Sequence, residues 1–463
     1  MNYETLFKAA RDKTVRSVIT GAGEFGASFI FQSQRVPGLE VTAICNRTTG
    51  RGLKAFMKAG IDKDRLKICE SEAEVKNAFD RKQFIVVNDL ALLTELPIDV
   101  VVEGTGNPEA GARNADIAIR SGMHVAMVSK EADSVVGPIL FHKAQRAGVV
   151  YTAVEGDQPS LLIGLITWAR VLGLKIICAG KSSEYDFVID PETCTVTSFG
   201  KTVSVPDFAS FWRAEKMSAE ELVRQRSIEL SGLPQRAVPD LCEMGIVANA
   251  TGIGPSTATF HAPIIKPVEL PEVLTTQKMG GILAEPGVLD VLNCLRRPDE
   301  ASLAGGVFIV VECEDRSTWT VLKEKGHLVN RSGRCAAIYR PAHLLGIEAA
   351  ISVLAAALLG HATGAEELKH EYDLVGRASA DLAAGTHMVA RGHHHTIEGI
   401  EALLVKSIDA YAGKLVPYYL LDNSHLRGRV TALKPLTREK VDLCDSVLVR
   451  LRAEQDLYFE KGR

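Results

Sequence analysis

The sequence predicts an α/β protein whose first third is a doubly wound parallel sheet, followed by an α+β region and a small β-rich tail. Three observations carry this. From residue 15 to about 153, short apolar runs alternate with helical patterns, as strand–helix repeats feeding one parallel sheet require. The first run passes straight into Gly21-x-Gly23-x-x-Gly26 and then into a helical pattern, Ala27 to Gln34. Residues 155–340 change texture to longer loops, more prolines and less regular alternation.

Val15–Thr20 is the opening strand, and the glycines after it have separate uses. Gly21 permits a tight turn, Gly23 lets the backbone approach a pyrophosphate, and Gly26 lets helix and strand pack closely. The turn residues Glu24 and Phe25 open a helix whose free N–H groups and positive dipole end suit phosphates. Together these describe a Rossmann-type dinucleotide site. The second strand, Leu39–Cys45, ends about 20 residues beyond the last glycine, where an NAD enzyme places Asp or Glu against the ribose 2′-hydroxyl. Here stand Asn46, Arg47, Thr48 and, past Thr49 and Gly50, Arg51. Guanidiniums and hydroxyls suit a 2′-phosphate, so the pattern favours NADPH over NADH, with a solvated basic loop as the bland alternative.

Phe84–Asn88 is a further apolar run, and Asp99–Glu103 is a buried strand ending at Gly104-Thr105-Gly106-Asn107-Pro108. Ala110–Ser121 reads as helix, His124–Val128 as strand, Val135–Ala147 as helix, and Val149–Val154 closes the sheet. Ligands of such sheets sit beyond the carboxyl ends of the strands, so Gly104, Thr105, Gly106, Ser129 and Lys130 border the expected nicotinamide. In the second region Ser160–Leu172 and Ile282–Leu295 look helical, and Lys175–Ala179 and Val307–Glu312 look like strands. Leu344–Leu359 reads as one long buried helix. A polar break near 361–370 precedes β-like runs at Ala380–Val389 and Ser424–Pro435. The expected domains are therefore 1–154, 155–360 and 361–463.

With 463 residues, 46% apolar and 24% charged, the chain has the composition of a soluble globular protein of two or three domains. A net charge of −4 gives no electrostatic case for nucleic acid or an anionic membrane surface. The N-terminus lacks a signal peptide's apolar core, and no run offers the ~18 apolar residues of a membrane span. Nine scattered cysteines without a C-x-x-C spacing point to reduced thiols in a cytoplasmic protein. The His393-His394-His395 run invites a metal, but three adjacent side chains cannot all face one ion from regular structure.

The residues most suited to chemistry follow the last strand of the first region. In extended Glu155-Gly156-Asp157-Gln158, the two carboxylates share a face, and Glu184 and Asp186 repeat the spacing after the next strand. Such pairs can hold Mg²⁺ or Mn²⁺ through oxygen ligands or act as general acid and base; two polar loops with ion-paired carboxylates are the alternative. Lys130, at a strand end beside the hydride path, can polarise a carbonyl, or simply cap the following helix. Lys181 and Ser182 can hold a phosphate, a plain turn competing. Asp240 and Glu243 share a helix face, with Asn249 more than two turns on, and Lys278 lies among glycines as a further anion contact.

Gly21–Gly26, Asp99–Gly106 and His124–Lys130 together resemble the nucleotide domain of homoserine dehydrogenases. The likeness is strong over about the first third and weaker beyond. Where that family carries Asn-Gly-Thr-Thr-Asn, this chain has Ala179-Gly-Lys-Ser-Ser-Glu-Tyr185, and Asn249 stands where its essential helix lysine belongs. Gly376 to Val447, with Val416–Leu421 and Leu433–Thr437, looks like a SAF domain. That front joined to that tail resembles the DXR-like (DRL) family, as does the run Asn2 to Gln34. The resemblance implies reductive isomerisation of 1-deoxy-D-xylulose 5-phosphate to 2-C-methyl-D-erythritol 4-phosphate, with NADPH and a divalent cation. It implies a small sugar phosphate as substrate and a homodimer, with the cation on Glu155, Asp157 and Glu184. It also implies phosphate on Lys181 and Ser182 and carbonyl polarisation by Lys130. Homoserine oxidation is the alternative activity.

Overall fold

A computed structural model describes residues 2–8, 12–207, 212, 217–392 and 395–460. Its first sheet holds seven strands: β1 (Val15–Thr20), β2 (Leu39–Cys45), β3 (Leu66–Ile68), β4 (Phe84–Val87), β5 (Val100–Glu103), β6 (His124–Met127) and β7 (Tyr151–Ala153). All pair in parallel, in the order β3-β4-β2-β1-β5-β6-β7. The chain winds outward from β1 on one side, then returns across it to β5. The carboxyl ends of β1 and β5 therefore flank a topological switch point, where such sheets leave a crevice for ligand.

The helices between them are α1 (Glu24–Ser33), α2 (Thr49–Lys58), α3 (Glu72–Asp80), α4 (Pro108–Arg120) and α5 (Lys130–Ala147). Successive strand residues point to opposite faces. Val18 and Val101 accordingly join Ala112, Ala115 and Leu140 on one face, while Ile19, Val100 and Val102 join Phe29, Ile30 and Phe56 on the other. Burial on both faces is why these strands read as continuous apolar runs.

α6 (Gln158–Val171) leads into a second, mixed sheet of β8 (Ile176–Ser182), β9 (Phe187–Asp190), β10 (Thr195–Ser198), β11 (Lys201–Ser204), β12 (Ile264–Ile265), β13 (Val288–Arg296), β14 (Val307–Glu312) and β15 (Cys335–Arg340). β8 lies centrally, parallel to β13 and antiparallel to β14. Helices α7 (Ala219–Glu229) and α8 (Val238–Thr251) precede β12.

Two segments depart from the sequence expectation. Ile282–Leu295 is not helical: Pro286-Gly287 breaks the run and Val288–Arg296 is strand β13. A central strand buried on both faces and a buried helix share the same apolar signature, so periodicity could not separate them. Leu344–Leu359 is not one helix either. It divides into a 3₁₀ turn at Leu345–Ile347, an α turn at Ala350–Leu354 and a π turn at Ala355–Leu359. Gly346 is the cause. Its backbone presses on α1, where a Cβ would lie 2.4 Å from the Phe25 carbonyl oxygen and 2.6 Å from the Phe29 nitrogen. Leu345, at φ +53°, makes the bend that brings it there.

In the C-terminal region Tyr372–Ala378 pairs antiparallel with Ile400–Lys406. The runs at Ala380–Val389 and Ser424–Pro435 contain only short strands, at His387–Met388 and Ser424–Leu426. His393 and His394 lie outside the described residues. The final helix, Val447–Glu460, returns to pack on α4 and α5: the Glu109 carboxylate accepts from the Val447 and Leu448 N–H groups at 2.9 Å each. Buried Arg452 grips Asp373 through two bonds of 2.6 and 2.8 Å, tying that helix to Tyr372–Ala378. No helix among the described residues is long and apolar enough to cross a membrane.

Candidate active site

The crevice at the switch point is built from backbone. Gly21 turns at φ +92°, and a Cβ there would meet the Gly104 carbonyl oxygen at 2.4 Å. A Cβ on Gly26 would lie 2.4 Å from the Gly21 carbonyl oxygen. Gly23 instead faces open space, with nothing within 4 Å of a Cβ. It is the N-cap of α1 and has no side chain to cap the helix. The first and third glycines thus close the turn, and the second leaves room over a bare helix N-terminus. Asn46 fastens the end of β2 to this loop, accepting from the Ala22 N–H at 3.1 Å and donating to the Thr48 carbonyl at 2.8 Å. Arg47, Thr48 and Arg51 are exposed beside it.

On the β5 side, Glu103 was not singled out in the sequence. Its buried carboxylate accepts from the Thr20 hydroxyl at 3.1 Å and from the Thr105 hydroxyl at 2.6 Å and N–H at 3.2 Å. Burial pushes its pKa up. The Gly106 N–H donates to the Ser129 hydroxyl at 2.8 Å, so the loops after β5 and β6 are joined.

Lys130 opens α5 at this edge, and the next layer of the site is ionic. Glu243, on α8, is clamped between the ammonium groups of Lys130 and Lys181. Lys181, on β8, also lies 2.8 Å from Asp240, whose other oxygen accepts from the Ser183 hydroxyl at 2.8 Å. Asp240 and Glu243 do share one helix face, and Lys181 reaches both. Burial alone would raise the Glu243 pKa, but the two lysines hold it down at about 2. Neighbouring carboxyls are not held by two lysines: burial raises Glu131 to about 7 against the pull of Lys130, and Asp133 to about 6, the latter accepting from the Tyr151 hydroxyl at 2.8 Å. Lys130 is the accessible member, with its side chain 26% exposed against 1% for Lys181.

The turn after β7 brings Asp157 to the same place. Asp157 caps α6, accepting from the Gln158 N–H at 2.9 Å, and burial raises its pKa against the pull of Lys130. Gln158 donates to the Ser182 carbonyl at 3.2 Å, linking α6 to β8. His343 acts on Asp157 electrostatically from the segment after β15; its Nδ1 lies 2.9 Å from the Gly305 carbonyl oxygen. Arg340 lies 3.6 Å from Glu155 and also pairs with Glu348. Arg340 and His343 carry no motif or spacing that marks them in the sequence.

Other expected residues do not join the Lys130–Glu243–Lys181 cluster. Glu155 accepts from the Ser160 hydroxyl at 2.8 Å and faces Arg340, while Glu184 is exposed on the turn after β8. Among the described residues no group of three His, Cys, Asp or Glu is arranged to hold a metal, so Glu155, Asp157 and Glu184 form no joint cation site. Asn249 binds backbone instead, accepting from the Glu371 and Tyr372 N–H groups at 2.9 Å and donating to the Tyr372 carbonyl at 3.1 Å. Lys278 is exposed on a 3₁₀ turn after α8. The Ser182 hydroxyl is buried with no hydrogen-bond partner among the described residues.

Several solved structures are similar to parts of this chain. An oxidoreductase from Agrobacterium radiobacter in complex with NAD⁺, L-tartaric acid and magnesium is 15% identical with a TM-score of 0.28, over 38% of this chain and 46% of that one. A probable dehydrogenase from Thermotoga maritima is 11% identical with a TM-score of 0.28, over 38% and 47%. An amine dehydrogenase from Mycobacterium smegmatis is 11% identical with a TM-score of 0.35, over 74% and 91%. The chain spans 46% of the length of the first of these. No curated protein sequence matches it. Residues 239–349, which carry Asp240, Glu243, Arg340 and His343, match the family described as "Oxidoreductase DRL, catalytic domain".

Proposed function

We propose that this chain is an NADPH-dependent oxidoreductase, and specifically the reductoisomerase that converts 1-deoxy-D-xylulose 5-phosphate to 2-C-methyl-D-erythritol 4-phosphate. The observation that carries the reading is Glu243 clamped between Lys130 and Lys181 beside the switch-point crevice, within the stretch similar to DRL catalytic domains. The glycine loop suits a pyrophosphate, and Arg47, Thr48 and Arg51 suit a 2′-phosphate. NADPH bound there would supply the hydride that reduces the aldehyde formed by the rearrangement.

The chain's own residues supply the rest. Lys130, kept protonated by Glu243, holds a proton at Nζ for the carbonyl oxygen on which charge develops. Asp157, raised by burial, takes the hydroxyl proton whose loss starts the rearrangement. Lys181 is enclosed and doubly paired, so its part is to position Glu243. The phosphate role is shared by Ser182, half-exposed Arg340 and His343. A requirement for Mg²⁺ or Mn²⁺ belongs to the reading, but the three carboxylates do not fit a shared ion and no step is routed through one. A homodimer is the commonest assembly for such enzymes.

The test is NADPH consumption with 1-deoxy-D-xylulose 5-phosphate and Mg²⁺ or Mn²⁺, with chelator as control. Oxidation that chelator abolishes is the expected result. Silence there with reduction of NADP⁺ by homoserine would overturn the substrate assignment; Asn249, committed to the 371–372 backbone, speaks against homoserine oxidation. Asp157→Asn should abolish turnover with NADPH affinity nearly unchanged; equal loss of both would remove Asp157 from the chemistry.

A further inference from the structure

A second constellation is built on β13, the neighbour of β8, where Asp290 stands in register with Gly180. Asp290, on β13, is completely buried, yet its carboxylate is well satisfied. One oxygen accepts from the N–H groups of Val291 at 2.8 Å, His261 at 3.1 Å and Ala262 at 3.3 Å. The other takes the Ser256 hydroxyl at 2.5 Å and His261 Nδ1 at 2.6 Å. Five donors surround this carboxylate, and it fixes the orientation of the His261 ring through Nδ1. Nε2 is thereby left as the outward edge of the ring. Ser256 meets the same nitrogen as Asp290, at 3.1 Å, so the trio is not a hydrolytic triad, whose serine would engage Nε2.

The backbone around His261 is strained. Phe260 and Ala262, on either side of it, lie at φ +57° and +50°, a region costly for a side chain as bulky as phenylalanine. Arg236 holds the loop in that shape: its Nε and Nη2 donate to the carbonyls of Thr259, Phe260 and His261 at 3.2–3.4 Å. Its Nη1 makes no hydrogen bond among the described residues. His261 and Arg236 both line a cavity of about 430 Å³ that α7 closes from the other side. The remaining polar groups of its wall are already paired: Gln277 with Glu220 at 3.0 Å, Arg224 with Glu221 at 2.7 Å, and Ser227 with Gln235 at 2.7 Å. The floor is apolar, with Val223, Ile264 and Ile282.

We propose that this cavity binds a small organic oxyanion with an apolar body, a carboxylate or phosphate monoester. Arg236 Nη1 donates to the charged end, the outward edge of the His261 ring borders it, and the aliphatic floor takes the rest. Strain on both sides of a histidine that a buried aspartate orients is a cost a purely structural loop has no need of.

The test is calorimetric titration of the full chain with phenyl phosphate and, separately, with benzoate, alongside the ring ¹⁵N resonances of His261. Saturable binding that moves the His261 Nε2 resonance is expected; binding of only one probe identifies the acid class. His261→Asn retains a donor for Asp290 but has no Nε2, and should weaken binding about tenfold without lowering Tm. Ile228→Trp, at an exposed position on the rim, should block binding by filling the cavity. No binding of either probe, or binding that both variants leave unchanged, would overturn the proposal.

Discussion

The crevice at the switch point and the buried ionic cluster beside it are neighbours built on opposite principles. The crevice is made of backbone at the ends of adjacent strands β1, β2 and β5. Its properties follow from where a Cβ fits: none at Gly21 or Gly26, ample room at Gly23. The cluster is made of side chains from α5, β8, α8 and the turn before α6, which are far apart in the chain. Its properties follow from charge balance. Glu243 falls to about 2 because two lysines reach it, while Glu131, nearby and without a clamp, rises to about 7. Backbone sterics shape the one and charge neutralisation the other.

Glu243→Gln attacks the cluster most directly. It leaves Lys130 without its counter-charge and Lys181 with Asp240 alone, and unpairing a buried charge costs on the order of 3–5 kcal/mol. Denaturant unfolding should show that loss, and turnover should fall by about a hundredfold or more. An unchanged midpoint would mean that the clamp adds nothing to the fold.

The glycines test the crevice. Gly26→Ala forces a Cβ to within 2.4 Å of the Gly21 carbonyl oxygen, so the apoprotein itself should lose roughly 1–3 kcal/mol. Gly23→Ala meets nothing within the protein and should leave Tm alone while weakening nucleotide affinity about tenfold, read by NADPH fluorescence. If both variants behaved alike, the division of labour among the three glycines would be wrong.

Protonation sharpens the contrast within the cluster. Because the folded pKa of Glu131 is raised from 4.5 to about 7, the native state binds the extra proton between those values, and its stability falls as pH rises through that window. Glu131→Gln should therefore gain of order 1–3 kcal/mol over the parent at pH 8, and little of that at pH 4. Glu243 works in the opposite sense. Its contribution is present above pH 4.5 and is lost as pH falls toward 2. A parallel pair of stability–pH curves would show that Glu131 carries no raised pKa.

The smallest effect is expected at the rim. Arg47→Ala and Arg51→Ala should each raise the KM for NADPH by about threefold to tenfold and leave that for NADH unchanged, since exposed charge-assisted contacts contribute about 1 kcal/mol. Equal effects on both nucleotides would return the loop to a solvated basic segment.

What the sequence determined by itself was the first sheet. Val15–Thr20 followed by three spaced glycines specifies strand, turn and helix through steric rules that act within a dozen residues. The pairing of Asp240 with Glu243 on one face was legible for the same reason, since helical spacing is local. The sequence could not tell the buried strand Val288–Arg296 from a buried helix, nor foresee that Gly346 would bend Leu344–Leu359 into three turns to reach α1. It marked Asp240, Glu243, Lys130 and Lys181 separately but not as one cluster, and it passed over Glu103, Arg340 and His343. Only the tertiary structure decided those matters. Contacts between residues far apart in the chain leave no periodic trace, and a buried charge takes its pKa and its role from whichever partners the fold delivers to it.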